Sequence, residues 1–169
     1  IIRYLPESVS RAAQMAKRMT SQMSVNLSKG GLEQVQNAAT GKDLPPVHLW
    51  NPPFCGDLDM QIKRDGTWIH EGGPINRPEM VRMFSSILKK EGADYFLVTP
   101  VEKVGITVED APFVAVDIDA SESGGTQSLS FTTHVGDVVT ADESHPIRFT
   151  SDPATQEPSV YVMVRAGLE

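Results

Sequence analysis

A proline-rich segment divides this chain into two parts of different character. Residues 44–56 contain four prolines and one glycine within thirteen positions. Each proline removes a backbone hydrogen-bond donor, and it also holds the preceding residue away from the helical conformation. No helix can pass through this segment, so we expect it to be a stiff, extended connection.

The residues before the proline-rich segment favour helices. Apolar side chains recur at three- and four-residue steps between Val9 and Met23, which is the spacing of one helical face. We predict an amphipathic helix over residues 9–24 and a shorter helix that ends at Gly41. In this prediction residues 1–43 form an N-terminal helical segment, whose apolar stripe could pack on the protein's own core or dock on a partner.

The clearest local pattern after the prolines is a β-hairpin. Two alternating runs are joined by Asp65-Gly66, a dipeptide typical of two-residue type I′ turns. Such a turn determines the register, which places Trp68 opposite Lys63. In this register Ile69 faces the core, while Trp68 and His70 belong to the exposed face.

An amphipathic helix and a buried strand are predicted next. Asn76 can cap the helix, Pro78 lies in its first turn, and the apolar face continues to Leu88. The apolar run Tyr95–Thr99 is too short for a helix and stops at a proline, so it predicts a buried strand. Residues 44–100 are therefore predicted to form a β-β-α-β unit.

The rest of the chain, residues 101–169, is predicted to be a mostly β unit. Both halves open with a hairpin and close with an apolar strand, which suggests two related units. The predicted fold class is α+β, with N-terminal helices followed by two related β-rich units. Alternating or β-branched runs predict strands at residues 104–108, 113–119, 127–133, 135–140, 147–150 and 160–164.

Composition excludes several functional classes. The 169 residues suit one compact domain or two very small ones. A net charge of −7 has the wrong sign for binding long nucleic acids, and no apolar run approaches the ~18–20 residues of a membrane helix. The single cysteine and the absence of a secretory pattern at the start favour a cytoplasmic protein.

Paired carboxylates are one pattern that could support catalysis. Asp57 and Asp59 lie two apart on one strand and share a face, as a metal site or an acid–base pair requires. With His70 they make a metal-dependent or acid–base hydrolase an alternative function. The same alternation is the ordinary outer face of a half-buried strand. The nucleophile elbow, the phosphate loop and the dinucleotide fingerprint do not occur, so we predict no catalytic residue, metal or cofactor.

An aromatic side chain beside a cation is the other pattern. An exposed Trp68 could stack a planar ring while Lys63 contacts a phosphate or carboxylate. The indole could equally cover the proline-rich segment. The charged connection between the two halves, residues 99–113, could line a cleft, because ligand sites favour domain junctions, or it could form a salt-bridged seam.

These segments resemble a proteobacterial family of uncharacterised proteins, domain-of-unknown-function family 1285. The matching stretches are residues 45–60, 65–68 and 98–113, and the resemblance extends over residues 44–165. It implies a duplicated structural motif, a second half like a pleckstrin-homology barrel, and a site at the interface of the halves. It also implies a nucleotide-like ligand and a role in signal transduction, with oxidative stress as a suggested setting.

The resemblance indicates interface candidates by motif position and no catalytic residue. We therefore expect a small-ligand-binding signalling module, with a partner protein or a second copy as a further binding partner. A protein-interaction module that docks through the N-terminal helix is a second alternative. The candidate ligand-binding residues are Trp50, Asn51, Phe54, Asp57, Asp59, Lys63, Trp68, Arg77, Thr99, Glu102, Lys103 and Glu109.

Overall fold

A computed structural model describes residues 2–4, 44–151 and 156–165 of the chain. Within these residues the fold is α+β but mostly strand, with a single α-helix, α1 (Pro78–Ser86), and a 3-10 turn at Val47–Leu49. The first sheet consists of β2 (Phe54–Ile62), β3 (Trp68–His70), β4 (Gly73–Pro74), β5 (Leu88–Glu91), β6 (Asp94–Val98) and β7 (Lys103–Val108). The second consists of β1 (Ile2–Tyr4), β8 (Phe113–Ser123), β9 (Thr126–Thr133), β10 (Val138–Thr140), β11 (Ile147–Ser151) and β12 (Pro158–Val162).

Each sheet has six strands and contains one parallel pair. The first has the order β4-β3-β2-β7-β6-β5, with β2 parallel to β7. The second has the order β10-β9-β8-β1-β12-β11, with β1 parallel to β8. The sheets divide between Val108 and Phe113. The boundary predicted after residue 100 is therefore too early, because β7 is hydrogen bonded to β2 and β6 within the first sheet.

The loop of the β2–β3 hairpin has three residues, not the predicted two. The backbone N–H of Lys63 donates to the carbonyl of Thr67 at 2.8 Å, and that of Gly66 donates to the carbonyl of Lys63 at 2.9 Å. Gly66 has a φ of 85°, a left-handed conformation that glycine adopts without steric cost. A type I turn closed by a left-handed glycine is the usual three-residue hairpin loop, so Asp65-Gly66 is compatible with both loop lengths.

The longer loop shifts the pairing register by one residue, so the opposite face of β3 is directed towards the core. Ile62 pairs with Trp68, and Gln61 pairs with Ile69. Because strand side chains alternate, a one-residue change exchanges the two faces. Trp68 and His70 are consequently buried at 1% exposure each, and the prediction of an exposed indole was wrong.

One hydrophobic core lies between the two sheets and α1. Trp68 stacks on Phe84 of α1, with ring centroids 6.1 Å apart and planes 20° apart. Complete burial of side chains of this size contributes about 1.5–3 kcal/mol each. The core residues are Met60, Ile62, Trp68, Phe84, Ile87, Leu88, Leu97, Val104, Phe113, Ala115, Phe131, Val135, Val139, Val162 and Val164.

The helix is shorter than predicted at both ends. Its N-cap is Arg77 rather than Asn76, without a side-chain cap, and Pro78 begins it. It ends at Ser86, since Leu88–Glu91 forms β5 and pairs with β6. Leu88 suits either structure because it is buried in both, and pairing with β6 outweighs the helical periodicity.

The strands predicted for the second sheet are confirmed, although β8 continues to Ser123 and β10 begins at Val138. Ile2–Tyr4 is a strand that joins β8 to β12. The predicted N-terminal helices lie outside the described residues, and the pleckstrin-homology-like second half stays a prediction. In the part of the chain that is described, no helix is long and apolar enough to span a membrane.

Candidate ligand-binding site

The proline-rich segment and the charged connection meet because β2 and β7 are neighbours. Phe54 pairs with Lys103, and Asp57 pairs with Gly105. The backbone N–H of Lys103 also donates to the carbonyl of Pro53 at 3.1 Å. The pairing brings three candidate side chains, Phe54, Asp57 and Lys103, onto one surface of the first sheet.

These three side chains border a cavity of about 350 Å³, here called the outer groove. All its lining residues belong to the first sheet, so it does not lie between the two units, where the pocket was expected. The lining residues are Phe54, Asp57, Asp94, Tyr95, Phe96, Lys103, Gly105 and Ile106.

Gly105 makes room for the carboxylate of Asp57 in the outer groove. A Cβ atom at this position would collide with Asp57 Oδ1 and would lie 3.7 Å from the Phe54 ring. Phe54 in turn meets Phe96 edge to face at 6.1 Å. The groove is therefore an aromatic surface with an exposed carboxylate above a glycine.

Two lysines beside the outer groove, Lys89 and Lys103, form ion pairs with the same carboxylate. Lys103 Nζ lies 2.8 Å and Lys89 Nζ 3.0 Å from the carboxylate of Glu91. These hydrogen bonds, that of Lys103 first, hold the pKa of Glu91 below its ordinary value. Lys90 Nζ lies 5.6 Å from the centre of the Tyr95 ring. Asp57 and Asp94 line the groove without an ion-pair partner among the described residues, and these two carboxylates disfavour a phosphate there.

The end of the connection forms a salt-bridged seam rather than a cleft wall. Glu109 accepts hydrogen bonds from Lys63 Nζ at 2.7 Å and from the backbone N–H of Arg64 at 2.9 Å. The Lys63 hydrogen bond, followed by that of Arg64, lowers the pKa of Glu109. Asp110 accepts from the hydroxyl of Tyr161 in the second sheet at 2.9 Å. In this seam Lys63, which follows β2, is joined to Glu109, which follows β7.

A second cavity of about 320 Å³ lies where the two units meet, and it is here called the junction pocket. The hairpin loop, the β4–α1 connection and α1 contribute from the first unit, and the loop after β9 contributes from the second. Of the candidate residues, Trp68 lines it. The lining residues are Gly66, Thr67, Trp68, Pro74, Ile75, Asn76, Pro78, Val81, Arg82, His134 and Val135.

The hairpin tip approaches the second unit closely at the junction pocket. A Cβ atom on Gly66 would lie 3.1 Å from Val114 and 3.4 Å from His134 Nε2, so only glycine fits without displacement. Val114 and His134 are joined twice: His134 N–H donates to the Val114 carbonyl at 2.9 Å, and Val114 N–H donates to His134 Nδ1 at 3.2 Å.

The junction pocket contains polar groups that the fold does not satisfy. Because His134 Nδ1 accepts a hydrogen bond, the proton of the neutral ring lies on Nε2. That atom and the indole Nε1 of Trp68 are covered and have no acceptor in the described part of the chain. Leaving a buried donor unpaired costs about 1–3 kcal/mol. Burial lowers the pKa of His134, which favours the neutral ring.

Comparison with known proteins identifies the family. The N-terminal domain profile of the domain of unknown function DUF1285 matches residues 45–111, and its C-terminal domain profile matches residues 112–169. The chain belongs to the DUF1285 family. The boundary between the two profiles falls in the connection between the two sheets, after Val108 and before Phe113.

Two solved DUF1285 structures are similar to this chain. A protein from Silicibacter pomeroyi is 62% identical, with a TM-score of 0.73 over 82% of this chain and 75% of that one. A protein from Shewanella baltica is 30% identical, with a TM-score of 0.51 over 66% of this chain and 80% of that one. No curated protein matched the sequence.

The remaining candidates lie apart from both cavities of this DUF1285 chain. Trp50 packs against the core, Asn51 is exposed, and Arg77 is exposed at the start of α1. Thr99 is buried, and its Oγ1 accepts the backbone N–H of Glu102 at 3.1 Å, so both residues shape the β6–β7 turn.

The hydrolase alternative required Asp57, Asp59 and His70 to act together. Both carboxylates are exposed, whereas His70 is 1% exposed and its Nδ1–H donates to the backbone carbonyl of Asp59 at 2.8 Å. Across the described ranges, no group of three His, Cys, Asp or Glu residues could hold a metal ion. The fold does not assemble this trio.

Arg82 and His134 were missed by sequence reasoning. Arg82 occupies a polar position of α1, and His134 follows β9, so neither belongs to a recognisable motif. The signal that could have found His134 is the glycine at the hairpin tip, since a left-handed glycine often permits close backbone approach. Which residue approaches it is decided by the packing of the two units.

Proposed function

We propose that this DUF1285 protein binds a small, nucleotide-like ligand in the junction pocket and that this binding serves signal transduction. The observation that carries the proposal is a pocket shared by both units and lined by Trp68, whose covered indole N–H has no acceptor among the described residues. A ligand that supplies the acceptor removes this cost.

Charge favours the junction pocket over the outer groove. The residues that line the junction pocket include Arg82 and no carboxylate, whereas Asp57 and Asp94 line the outer groove. A volume of about 320 Å³ lies at the lower end of the ~300–1,000 Å³ range of small-molecule sites. A mononucleotide is therefore a better match than a larger cofactor.

The proposed signal is conformational. A ligand that contacts both units stabilises one arrangement of the hairpin tip against the loop after β9. It shifts that equilibrium only by the difference between its affinities for the two arrangements. The ligand-bound surface near Gly66 would then differ from the free one.

A thermal-shift screen of nucleotides tests the proposal. A ligand present at 100 times its dissociation constant should add about 2.7 kcal/mol to the free energy of unfolding. Two variants locate the site: Ile75→Trp fills the junction pocket, and Phe54→Ala alters the outer groove. We expect the ligand-induced shift to be lost in the first and kept in the second. The absence of a shift with every nucleotide would contradict the proposal.

A further inference from the structure

We infer that the junction pocket recognises an oxyanion, a phosphate or carboxylate group, through Arg82 and the N–H groups of Trp68 and His134. This inference rests on the proposed ligand-binding function and adds the chemistry that selects the ligand. The three hydrogen-bond donors belong to three separate elements: Trp68 to β3, Arg82 to α1 and His134 to the loop after β9.

Three side chains that line this pocket carry N–H donors without an acceptor or an ion-pair partner among the described residues. Trp68 Nε1–H can only donate, and the tautomer of His134 makes its Nε2 a donor as well. The guanidinium of Arg82 is exposed, lines the same pocket and forms no ion pair with a described residue. A group rich in acceptor oxygens satisfies all three donors.

Two carboxylates near this site have other hydrogen-bond partners, and a third, Glu79, lies in the first turn of α1. Asp137 lies 2.6 Å from Arg165, to which it is paired. Asp65 accepts the backbone N–H of Thr67 at 2.9 Å within the hairpin loop. Arg82 is thus the cation that a ligand can pair with, in contrast to Lys103 in the outer groove.

The start of α1 adds to the positive potential. The helix has nine residues, no side chain caps its N-terminus, and Asn76 and Pro78 beside that end line the pocket. The N-terminus of a helix carries partial positive charge and favours anions. Apolar side chains provide the rest of the lining, so the ligand combines an oxyanion with an apolar or planar body. These side chains are Pro74, Ile75, Val81 and Val135.

Oxyanion binding requires the hairpin tip to move. His134 Nε2 is covered, and Gly66 lies against it. A ligand oxygen reaches this nitrogen when the tip shifts away from the second unit. Binding of the oxyanion to His134 and the movement of the hairpin tip away from the second unit therefore occur together.

Calorimetric titration of the full chain with adenosine 5′-monophosphate, inorganic phosphate and adenosine tests the inference. We expect the two phosphate-containing probes to bind and adenosine to bind at least ~10-fold more weakly, since charge-assisted hydrogen bonds are lost. Arg82→Gln should weaken monophosphate binding ~10–100-fold. Arg148→Gln, which removes an exposed cation of β11 that lines neither cavity, is the matched control and should leave monophosphate binding unchanged.

Two substitutions of His134 separate ligand binding from folding. His134→Asn keeps an acceptor for the Val114 N–H but removes the Nε2 donor, so we expect weaker monophosphate binding with stability retained. His134→Gln keeps a donor near the Nε2 position but removes that acceptor, so we expect the reverse.

The results distinguish the two proposals. Equal binding of adenosine and its monophosphate, or equal effects of Arg82→Gln and Arg148→Gln, would overturn the oxyanion inference and leave ligand binding intact. If no nucleotide, nucleoside or phosphate binds the wild-type chain, the proposed function itself fails.

Discussion

The outer groove and the junction pocket have nearly the same volume, about 350 and 320 Å³, but opposite chemistry. In the outer groove Lys103 is held by Glu91, and the carboxylates of Asp57 and Asp94 are left over. In the junction pocket Arg82 is left over, together with two N–H donors. The comparison separates a cation that the fold has already paired, Lys103, from one that has no ion pair with a described residue, Arg82.

Trp68→Ala should produce the largest difference between the two cavities. The indole fills the core, stacks on Phe84 and lines the junction pocket, and removal of a buried Trp side chain costs about 3–5 kcal/mol. Phe54→Ala in the outer groove should cost less than about 1 kcal/mol, because that ring is 55% exposed. Urea unfolding of both variants measures this, and equal losses would contradict the burial argument.

Arg165→Met tests how the second unit is attached behind the junction pocket. The guanidinium donates to the Ser85 carbonyl at the end of α1 at 2.8 Å and to Asp137 at 2.6 Å. Hydrogen bonds to charged groups contribute about 1.5–3 kcal/mol, and we expect a loss of this size in unfolding experiments. Arg148→Met, on the ring of Tyr161, is the control. Arg165 lies over the Phe113 ring at 5.1 Å, as Arg148 does over the Tyr161 ring, so an equal loss in both variants would assign the effect to the ring contact rather than to the hydrogen bonds.

As the pH falls, the packing around the junction pocket should lose stability before that around the outer groove. Burial lowers the pKa of His134 from its ordinary value of 6.5, so the unfolded chain binds this proton more readily than the folded one. The contribution of the neutral, buried His134 ring to the free energy of unfolding is fully present above pH 6.5. It is lost as the pH falls from there towards the pKa of the folded state. His134→Gln should flatten the dependence of unfolding free energy on pH in this range, and His48→Gln, at an exposed position, should not. An unchanged profile in His134→Gln would refute this assignment.

Glu91→Gln should have the smallest effect on stability, but it should make the outer groove more like the junction pocket in its charge. The carboxylate of Glu91 is 36% exposed, and its ion pairs contribute at most about 1 kcal/mol. Its removal frees Lys89 and Lys103, so we expect weak phosphate binding to appear at the outer groove in NMR titrations. Lys103→Met in the same background should abolish it. Phosphate binding to the wild-type groove would contradict the pairing argument.

Local patterns predicted much of the fold but failed at two points. The strands of the second sheet followed from the alternation of apolar and polar residues, and the extended proline-rich segment followed from its prolines. The hairpin register did not, because Asp65-Gly66 serves loops of two or three residues. Strand β5 was also missed, since Leu88 continues the apolar spacing of α1.

The candidate site was predicted only in part. Phe54, Asp57 and Lys103 do share a cavity, because β2 and β7 are paired. Trp68 lines a different one, the junction pocket, although its side chain is buried. Arg82 and His134 are far apart in sequence and belong to different units, so no spacing rule could join them.

The sequence by itself determined most of the extended segments, where the helix begins to within one residue, and that the described chain is rich in β-strands. These properties depend on prolines, glycines and the alternation of apolar side chains, which act over a few residues. Only the tertiary structure decided which face of β3 is buried, which cations remain unpaired and which donors lie in a shared pocket. Those outcomes depend on contacts between residues far apart in the chain, where a one-residue change of register exchanges a buried ring for an exposed one.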